Sequence, residues 1–468
     1  MTLTSADDKP KVPILNVLSK SVFMPENGQS ILASGFKDEP YWWEAFRPQA
    51  IEAPSLPAST DVVVVGGGYA GLAGARALAD SGIQSVVLEA AEFGSGASTR
   101  SGGAISAGLS IGKSFTGKSL DYSPDLVRDV VGWAVEAYRG LFDLVEKENI
   151  DCHLEQRGRF LGACAASHYE GLRKRYDKLR AGGAADCYLV NREEQRREIG
   201  SDYYHGGMVL ETAGKLHPAL FYGGLLAAVR RRNSITLAGH CRATGLTRSG
   251  DGWRIATTAG EMQARHVVIA TNGYTGGVTP KLQRRLVPIA SHVIATEELP
   301  QGLALKLCPR GRTFSETRRV LNYYRLSPDG KRVIFGGRAR FTEIDGEKRA
   351  RLLHAALVKR FPELAEVKVT HTWQGNVAFT YDALPHAGEI DGLHFVLGCN
   401  GSGVSMMPFL GDAMGRSIAG RLHGRPHGRM PFGDAPLPAI PLYTGKPWFL
   451  PAIGGAFRAL DFFDERIR

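Results

Sequence analysis

Three glycines and one carboxylate carry the most chemical information in this chain. Gly66, Gly68 and Gly71 stand at G-x-G-x-x-G spacing within the run from Asp61 to Glu89, and Glu89 closes that run. This spacing suits a phosphate cradle. The first glycine makes a tight turn, the second lets the backbone approach a pyrophosphate, and the third lets a helix pack close to a strand. The helix that must follow, from Tyr69 and Ala70 to about Ser81, aims its N-terminal amides and positive dipole end at the phosphates. Glu89 lies about 20 residues on, where an acid accepts hydrogen bonds from an adenosine ribose and disfavours a 2′-phosphate. The spacing therefore predicts a dinucleotide site that is not built for NADP.

These residues need a strand, turn, helix and second strand to position them. Asp61–Val65 is the apolar, β-branched run expected of a strand buried on both faces. Gln84–Leu88 reads as the return strand. Ala90 then leads into a second block of small residues and hydroxyls: Gly96, Ala97, Ser98, Thr99, Arg100, Gly102 and Gly103. Such a segment suits a chain passing close to a pyrophosphate and an isoalloxazine ring. The third block is Gly401, Ser402, Gly403 and Val404, ahead of a predicted helix. Its amides and positive end suit negative charge on the edge of a reduced flavin. No second acid accompanies this block, so the chain is expected to hold FAD alone rather than FAD and NADPH.

Size and composition narrow the class. At 468 residues the chain exceeds one simple core, and two domains are expected. No apolar run approaches the roughly 18 residues of a membrane span. The N-terminal residues carry early acids and no apolar core, unlike a secretory signal. The six cysteines are scattered without a C-x-x-C pair, which fits a reducing cytoplasm and argues against a zinc site or a disulfide framework. The histidines lack metal-ligand spacing, so no metal is expected. Net charge is +10, but the basic runs Arg230–Arg232 and Arg284–Arg285 are short and separated. No nucleic-acid stripe is expected from them.

Helical periodicity predicts helices over 125–149, 168–179, 218–231, 349–360 and 404–420. Strands are predicted over 235–238, 253–258, 261–270, 286–296, within 320–341 and at 395–397. Prolines crowd residues 1–58 and break regular elements there. The Tyr41-Trp42-Trp43 patch is read as packing this arm onto the body.

Taken together, the blocks resemble the D-amino acid oxidase family of FAD-dependent oxidoreductases, and within it the amine-oxidising, γ-glutamylputrescine oxidase-like branch. Further matching segments are Ala270–Tyr274, Val287–Glu297, Asn322–Arg325, Ile334–Arg338 and Trp373–Gly375 with Thr380–Gly388. The resemblance implies an α/β fold. A discontinuous, two-dinucleotide-binding-type (Rossmann-like) FAD domain would span 59–112, 215–280 and 371–425. A mixed-sheet α+β substrate domain would span 113–214 and 281–370, with an N-terminal arm at 1–58 and a tail packing on the body at 426–468. It also places Cys241, Ala270, Thr271, Gly273, Trp373, Gly375 and Asp382 at the cofactor.

Departures from the family pattern refine these expectations. Amino acid oxidases resemble a W-x-G-L-R-P-x-T-x-D pattern whose arginine grips the substrate carboxylate, and Val377 stands at that position here. This favours an amine. Gly375 replaces the flavin-bearing cysteine of sarcosine oxidases, and Arg100 replaces the histidine of dimethylglycine dehydrogenases, so FAD is expected to be non-covalent. Tyr324, Arg325, Arg338 and Trp373 are the substrate-pocket candidates: aromatic walls for an amine, and an arginine for a distal carboxylate. His292 and His386 are read as structural.

The expected reaction is hydride transfer from the carbon of a C–N bond to flavin N5. Imine hydrolysis to an aldehyde and reoxidation by oxygen to hydrogen peroxide would follow. The alternatives are an amino acid or N-methyl amino acid dehydrogenase with another electron acceptor, an RNA-modifying flavoprotein and a non-catalytic flavoprotein.

Overall fold

The computed structural model describes residues 30–51, 55–107, 122–181, 186–338, 340–425, 429–433 and 437–466. The first 29 residues of the expected arm lie outside the described residues, as do 426–428 and 434–436 of the expected tail. Two large sheets organise what is described.

The first sheet is built on the strand Ser59–Val65, which pairs in parallel with Ser85–Leu88 on one side and Gly260–Ile269 on the other. Ser85–Leu88 continues in parallel to Ile235–Ala238. An antiparallel meander, Ala243–Ser249 and Gly252–Thr257, completes one edge. The β-branched residues divide between two cores. Val62, Val64 and Val87 pack under helices with Leu72, Leu225 and Leu410, whereas Val63, Val86 and Leu88 pack against Trp253, Ile255 and Met262. A strand buried on both faces has no need of polar alternation, and this one shows none.

The second sheet has nine strands. Their order is Leu32–Lys37, Val369–Phe379, Val287–Thr296, Val333–Gly337, Asn322–Leu326, Thr313–Glu316, Arg159–Gly162, Gly207–Leu210 and Cys187–Val190. It is mixed, with parallel pairs at Leu32–Lys37 with Val369–Phe379 and at Thr313–Glu316 with Arg159–Gly162. One face packs on the helix Gly346–Arg360 through Phe314, Tyr324, Phe335, Leu353 and Leu357. The other looks toward the glycine turn at Gly66–Gly68. Mixed sheets covered by helices make this an α/β fold.

Two placements differ from the sequence expectation. Residues 371–379, expected to open the last FAD-binding segment, belong to the strand Val369–Phe379, second from the edge of the nine-stranded sheet. The proline-rich arm supplies the edge strand Leu32–Lys37, which lies in the proline-free interval between Pro25 and Pro40. The C-terminal helix Leu450–Asp464 packs on the nine-stranded half. There the fully buried carboxylate of Asp461 accepts the backbone N–H groups of Arg319 and Val320 at 3.0 and 2.9 Å. No helix among the described residues is long and apolar enough to cross a membrane.

Helix Tyr69–Asp80 meets helix Gly403–Leu422 with almost nothing between their backbones. A Cβ on Gly411 would lie 2.1 Å from the Ala70 carbonyl oxygen, and one on Gly415 would lie 2.4 Å from that of Gly74. Neither contact can relax by moving a side chain. Gly411→Ala is expected to destabilise the fold by about 1–3 kcal/mol, the usual cost of overpacking. Chemical unfolding of the variant against the parent checks this.

Candidate active site

The strand Ser59–Val65 ends in a turn shaped by close backbone contacts. Gly66 donates its N–H to Leu88 O at 2.8 Å and adopts φ +109°. A side chain there would meet the Ala270 carbonyl at 2.8 Å, and a Cβ on Gly71 would fall 1.9 Å from the Gly66 carbonyl. The helix therefore starts against the turn, at Gly68, which has no side chain to cap it, and the Ser98 hydroxyl from the segment after Glu89 accepts the Tyr69 N–H at 3.1 Å. Glu89 braces the turn from the next strand. One carboxylate oxygen accepts the Gly67 N–H at 3.0 Å and the other accepts that of Ala91 at 3.2 Å. Cys241 donates its N–H to the Glu89 carbonyl at 2.8 Å, which ties the neighbouring chain to this point.

A continuous cavity of about 2940 Å³ opens at this turn and runs beneath the nine-stranded sheet. Gly66, Gly68, Tyr69, Ala70, Glu89, Ala90 and Cys241 line its first part. Gly96, Ala97, Ser98, Arg100, Gly102 and Gly103 line the stretch after the acid, and Ala270, Thr271 and Gly273 lie alongside. Gly375 faces it from the sheet, and Gly401, Ser402, Gly403 and Val404 face it from the second helix start. That helix, Gly403–Leu422, also has no side-chain cap. Asn272 joins the two ends: its side-chain oxygen accepts the N–H groups of Gly398 and Cys399 at 3.0 and 3.4 Å.

Four residues expected at the cofactor, Gly71, Thr99, Trp373 and Asp382, stand behind this lining. Gly71 is packed under the turn, while the fully buried Thr99 donates to Gly94 O at 2.5 Å. The carboxylate of Asp382 is paired with His386 at 3.0 Å. Tyr222 was not foreseen. Its hydroxyl donates to the Gly67 carbonyl at 2.7 Å and props the turn from helix Pro218–Arg230.

The small-residue segment after Glu89 is held by three indoles. Trp43 donates to the Thr99 hydroxyl at 3.0 Å, Trp373 to the Arg100 carbonyl at 2.7 Å, and Trp42 to the Ser101 carbonyl at 2.8 Å. The Arg100 guanidinium lies over the Trp43 ring at 4.6 Å and donates to Ser95 O and Gln374 O. Trp373 thus acts on the segment from behind rather than on a substrate.

On the sheet face, residue parity decides what enters the cavity. Tyr323 lines it, and its hydroxyl lies 3.0 Å from that of Ser291. Its ring fits between two glycines, since a Cβ on Gly336 or Gly102 would come within 2.3 or 2.7 Å of it. Tyr324, the candidate chosen from the sequence, points to the opposite core. It stacks between Phe314 and Phe335, and its hydroxyl meets that of Tyr204 at 2.7 Å. Arg325 is also withdrawn: it is buried beside Trp42 and donates to Leu216 O at 2.7 Å. Arg338 does line the cavity. Its guanidinium lies over Phe379 at 4.8 Å, and burial holds its pKa below the usual arginine value, at about 10. The Gly-Gly pair at 336–337 opposite Asn322–Arg325 was the signal that could have picked Tyr323 over Tyr324.

Comparison with known proteins agrees with this arrangement. The profile of the DAO family, FAD dependent oxidoreductase, matches residues 61–416. The chain belongs to this family. A family relative, gamma-glutamylputrescine oxidoreductase of Escherichia coli, is 31% identical over 411 residues, covering 86% of this chain and 92% of its own. The probable oxidoreductase OrdL of Rhizobium meliloti is 29% identical over 402 residues, covering 84% and 90%. Among solved structures, glycine oxidase from Geobacillus kaustophilus superposes with a TM-score of 0.69 at 19% identity, over 82% of this chain and 99% of its own. L-proline dehydrogenase from P. horikoshii gives 0.63 at 18%, over 81% and 96%.

The family cofactor is FAD, and the residues present fit it. Two helix starts, neither with a capping side chain on its N-cap residue, open on one cavity, a turn too tight for any Cβ borders it, and a braced carboxylate stands at the far side of that turn.

Two outcomes follow for the cofactor site. Glu89→Ala removes the acceptor of two N–H groups and is expected to lower FAD affinity at least tenfold, or about 1.4 kcal/mol. Recovery of free flavin fluorescence on dilution measures it. Trp373→Phe leaves the Arg100 carbonyl without its donor, at a cost of about 1–3 kcal/mol. A shifted visible flavin spectrum and faster loss of flavin on gel filtration are the expected readouts.

Proposed function

We propose that this chain oxidises the C–N bond of a primary or secondary amine, with non-covalent FAD and with oxygen as the final acceptor. Val377 carries the reading. It lines the cavity on the same strand and face as Gly375, at the position where the resembling amino acid oxidases present a carboxylate-gripping arginine. The name of the Escherichia coli relative, gamma-glutamylputrescine oxidoreductase, supports an amine substrate.

Bound FAD supplies a two-electron acceptor for the hydride of the carbon next to nitrogen and passes the electrons to oxygen as peroxide. The protein supplies position and selection. Ser291, Tyr323 and Val377 wall the cavity beside Gly375 and Arg100. Arg338 places a fixed positive charge on the same wall, which disfavours an ammonium and selects the neutral amine. Tyr323 stays a phenol because burial raises its pKa above the usual value. The amides that open helix Gly403–Leu422 supply positive potential at the other side.

A second reading is favoured by Arg338. Among the described residues no carboxylate pairs with its guanidinium, so it is available to a carboxylate beside the reacting carbon, as in an amino acid or N-methyl amino acid. Anaerobic bleaching of the flavin across polyamines, γ-glutamyl amines and N-methyl amino acids separates the two, and peroxide yield against dye reduction identifies the acceptor. Arg338→Met is expected to cost an amine substrate less than tenfold in kcat/KM, whereas more than a hundredfold would mark an amino acid enzyme. The absence of bleaching by any amine would refute the first reading.

For amine oxidation, kcat/KM should rise with pH as the free amine is formed. No protein limb is expected near pH 6.5 from His217 or His292. His217 and His292 are held by burial at about 3 and about 4, so both are neutral throughout the working range. A pH–rate profile from 6 to 10 checks this.

A further inference from the structure

Two arginines in the cavity have no role in the site described so far. Arg159 opens the strand Arg159–Gly162 on the same face as Tyr323. The register pairs Tyr323 with Ser315 and Ser315 with Leu161, and Leu161 shares its face with Arg159 two residues away. Arg175 comes from helix Ala166–Ala181, which lies across this end of the face through Leu172, against Leu161 and Met208. Both guanidinium groups line the cavity.

Neither guanidinium has a carboxylate partner among the described residues, and Arg159 Nε is buried without a hydrogen bond. The acids that border this end are engaged elsewhere. Glu316 is held by Arg360 at 2.8 Å, and Asp186 accepts the Thr212 hydroxyl at 2.7 Å. Lys174 and Lys178, on the same helix, add to the positive charge of the wall. The two arginines are near enough to repel each other, and burial with that repulsion lowers Arg159 to about 10, still a cation at neutral pH. Arg159 is half-buried and Arg175 is exposed where it lines the cavity, so solvent screens the pair in part and an anion between them answers both charges.

We propose that Arg159 and Arg175 form an anion subsite that takes a carboxylate at the far end of the amine substrate. This rests on the amine-oxidation reading. The strand of Arg159 lies two strand spacings from that of Tyr323, about 10 Å across the sheet. The substrate class is therefore an extended amine with a carboxylate several bonds from the reacting nitrogen, such as a diamine acylated by a dicarboxylic acid. A guanidinium pair suits a carboxylate because each can donate two parallel hydrogen bonds. A plain diamine leaves the pair unanswered.

The test uses the FAD-loaded protein and glutarate as probe, with binding read by titration calorimetry. Glutarate is expected to bind, and Arg159→Met and Arg175→Met are each expected to weaken it at least tenfold. Arg175 sits on an exposed helix, so its variant guards against a folding defect at the strand. In a second arm, a diamine acylated with glutaric acid is compared with the same diamine acylated with butyric acid. The ratio of their kcat/KM values should favour the acid in the parent and fall at least tenfold in either variant. Absence of glutarate binding, or binding undiminished in both variants, overturns the proposal. Arginine-dependent glutarate binding with no bleaching by either amine upholds the subsite and refutes amine oxidation.

Discussion

Everything in this protein depends on how closely three pieces of backbone approach at the end of one strand. Helix Tyr69–Asp80 starts against the carbonyl of Gly66, and helix Gly403–Leu422 crosses it against the carbonyl of Ala70. No side chain separates them. Both helix starts can then open on the same cavity, and apart from the Tyr69 N–H, which the Ser98 hydroxyl accepts, their first N–H groups face it as a site for an anionic partner. The cradle is made of contacts that any Cβ would abolish, and its chemistry comes from peptide groups rather than from titrating side chains.

The reacting side is built differently. There the nine-stranded sheet offers one face to the cavity and the other to helix Gly346–Arg360, so each strand contributes alternate residues. Neighbouring residues of one strand therefore serve unrelated ends. Tyr323 borders the cavity, while Tyr324 completes an aromatic stack with Phe314 and Phe335. The face is continuous from Val377 and Ser291 through Tyr323 to Arg159, and this continuity makes one long channel out of strands far apart in sequence.

The cofactor half was the more legible in the sequence because its signals are local. Gly66, Gly68, Gly71 and Glu89 lie in one strand–turn–helix–strand unit, and each residue type follows from one contact inside that unit. The substrate half draws on residues from 159 to 377, and no short-range pattern says which of two adjacent tyrosines turns inward. The register of Asn322–Leu326 against the two glycines at 336–337 settles it, and that is a tertiary fact. The same holds for Trp373. A tryptophan matching a family motif suggests a pocket wall, but its indole N–H is taken up by the Arg100 carbonyl. Residues 371–379, expected with the FAD-binding half, join the nine-stranded sheet for a related reason: a segment's own composition does not name its neighbours.

The three indoles that hold Thr99, Arg100 and Ser101 have an optical consequence. Half of the six tryptophans in the chain stand beside a segment that lines the cavity fitting the coenzyme. Their emission overlaps the absorption of a yellow chromophore at short range, so excitation passes from them to it. Ultraviolet-excited emission from the protein is thereby an internal gauge of how much coenzyme is aboard, one that needs no added dye.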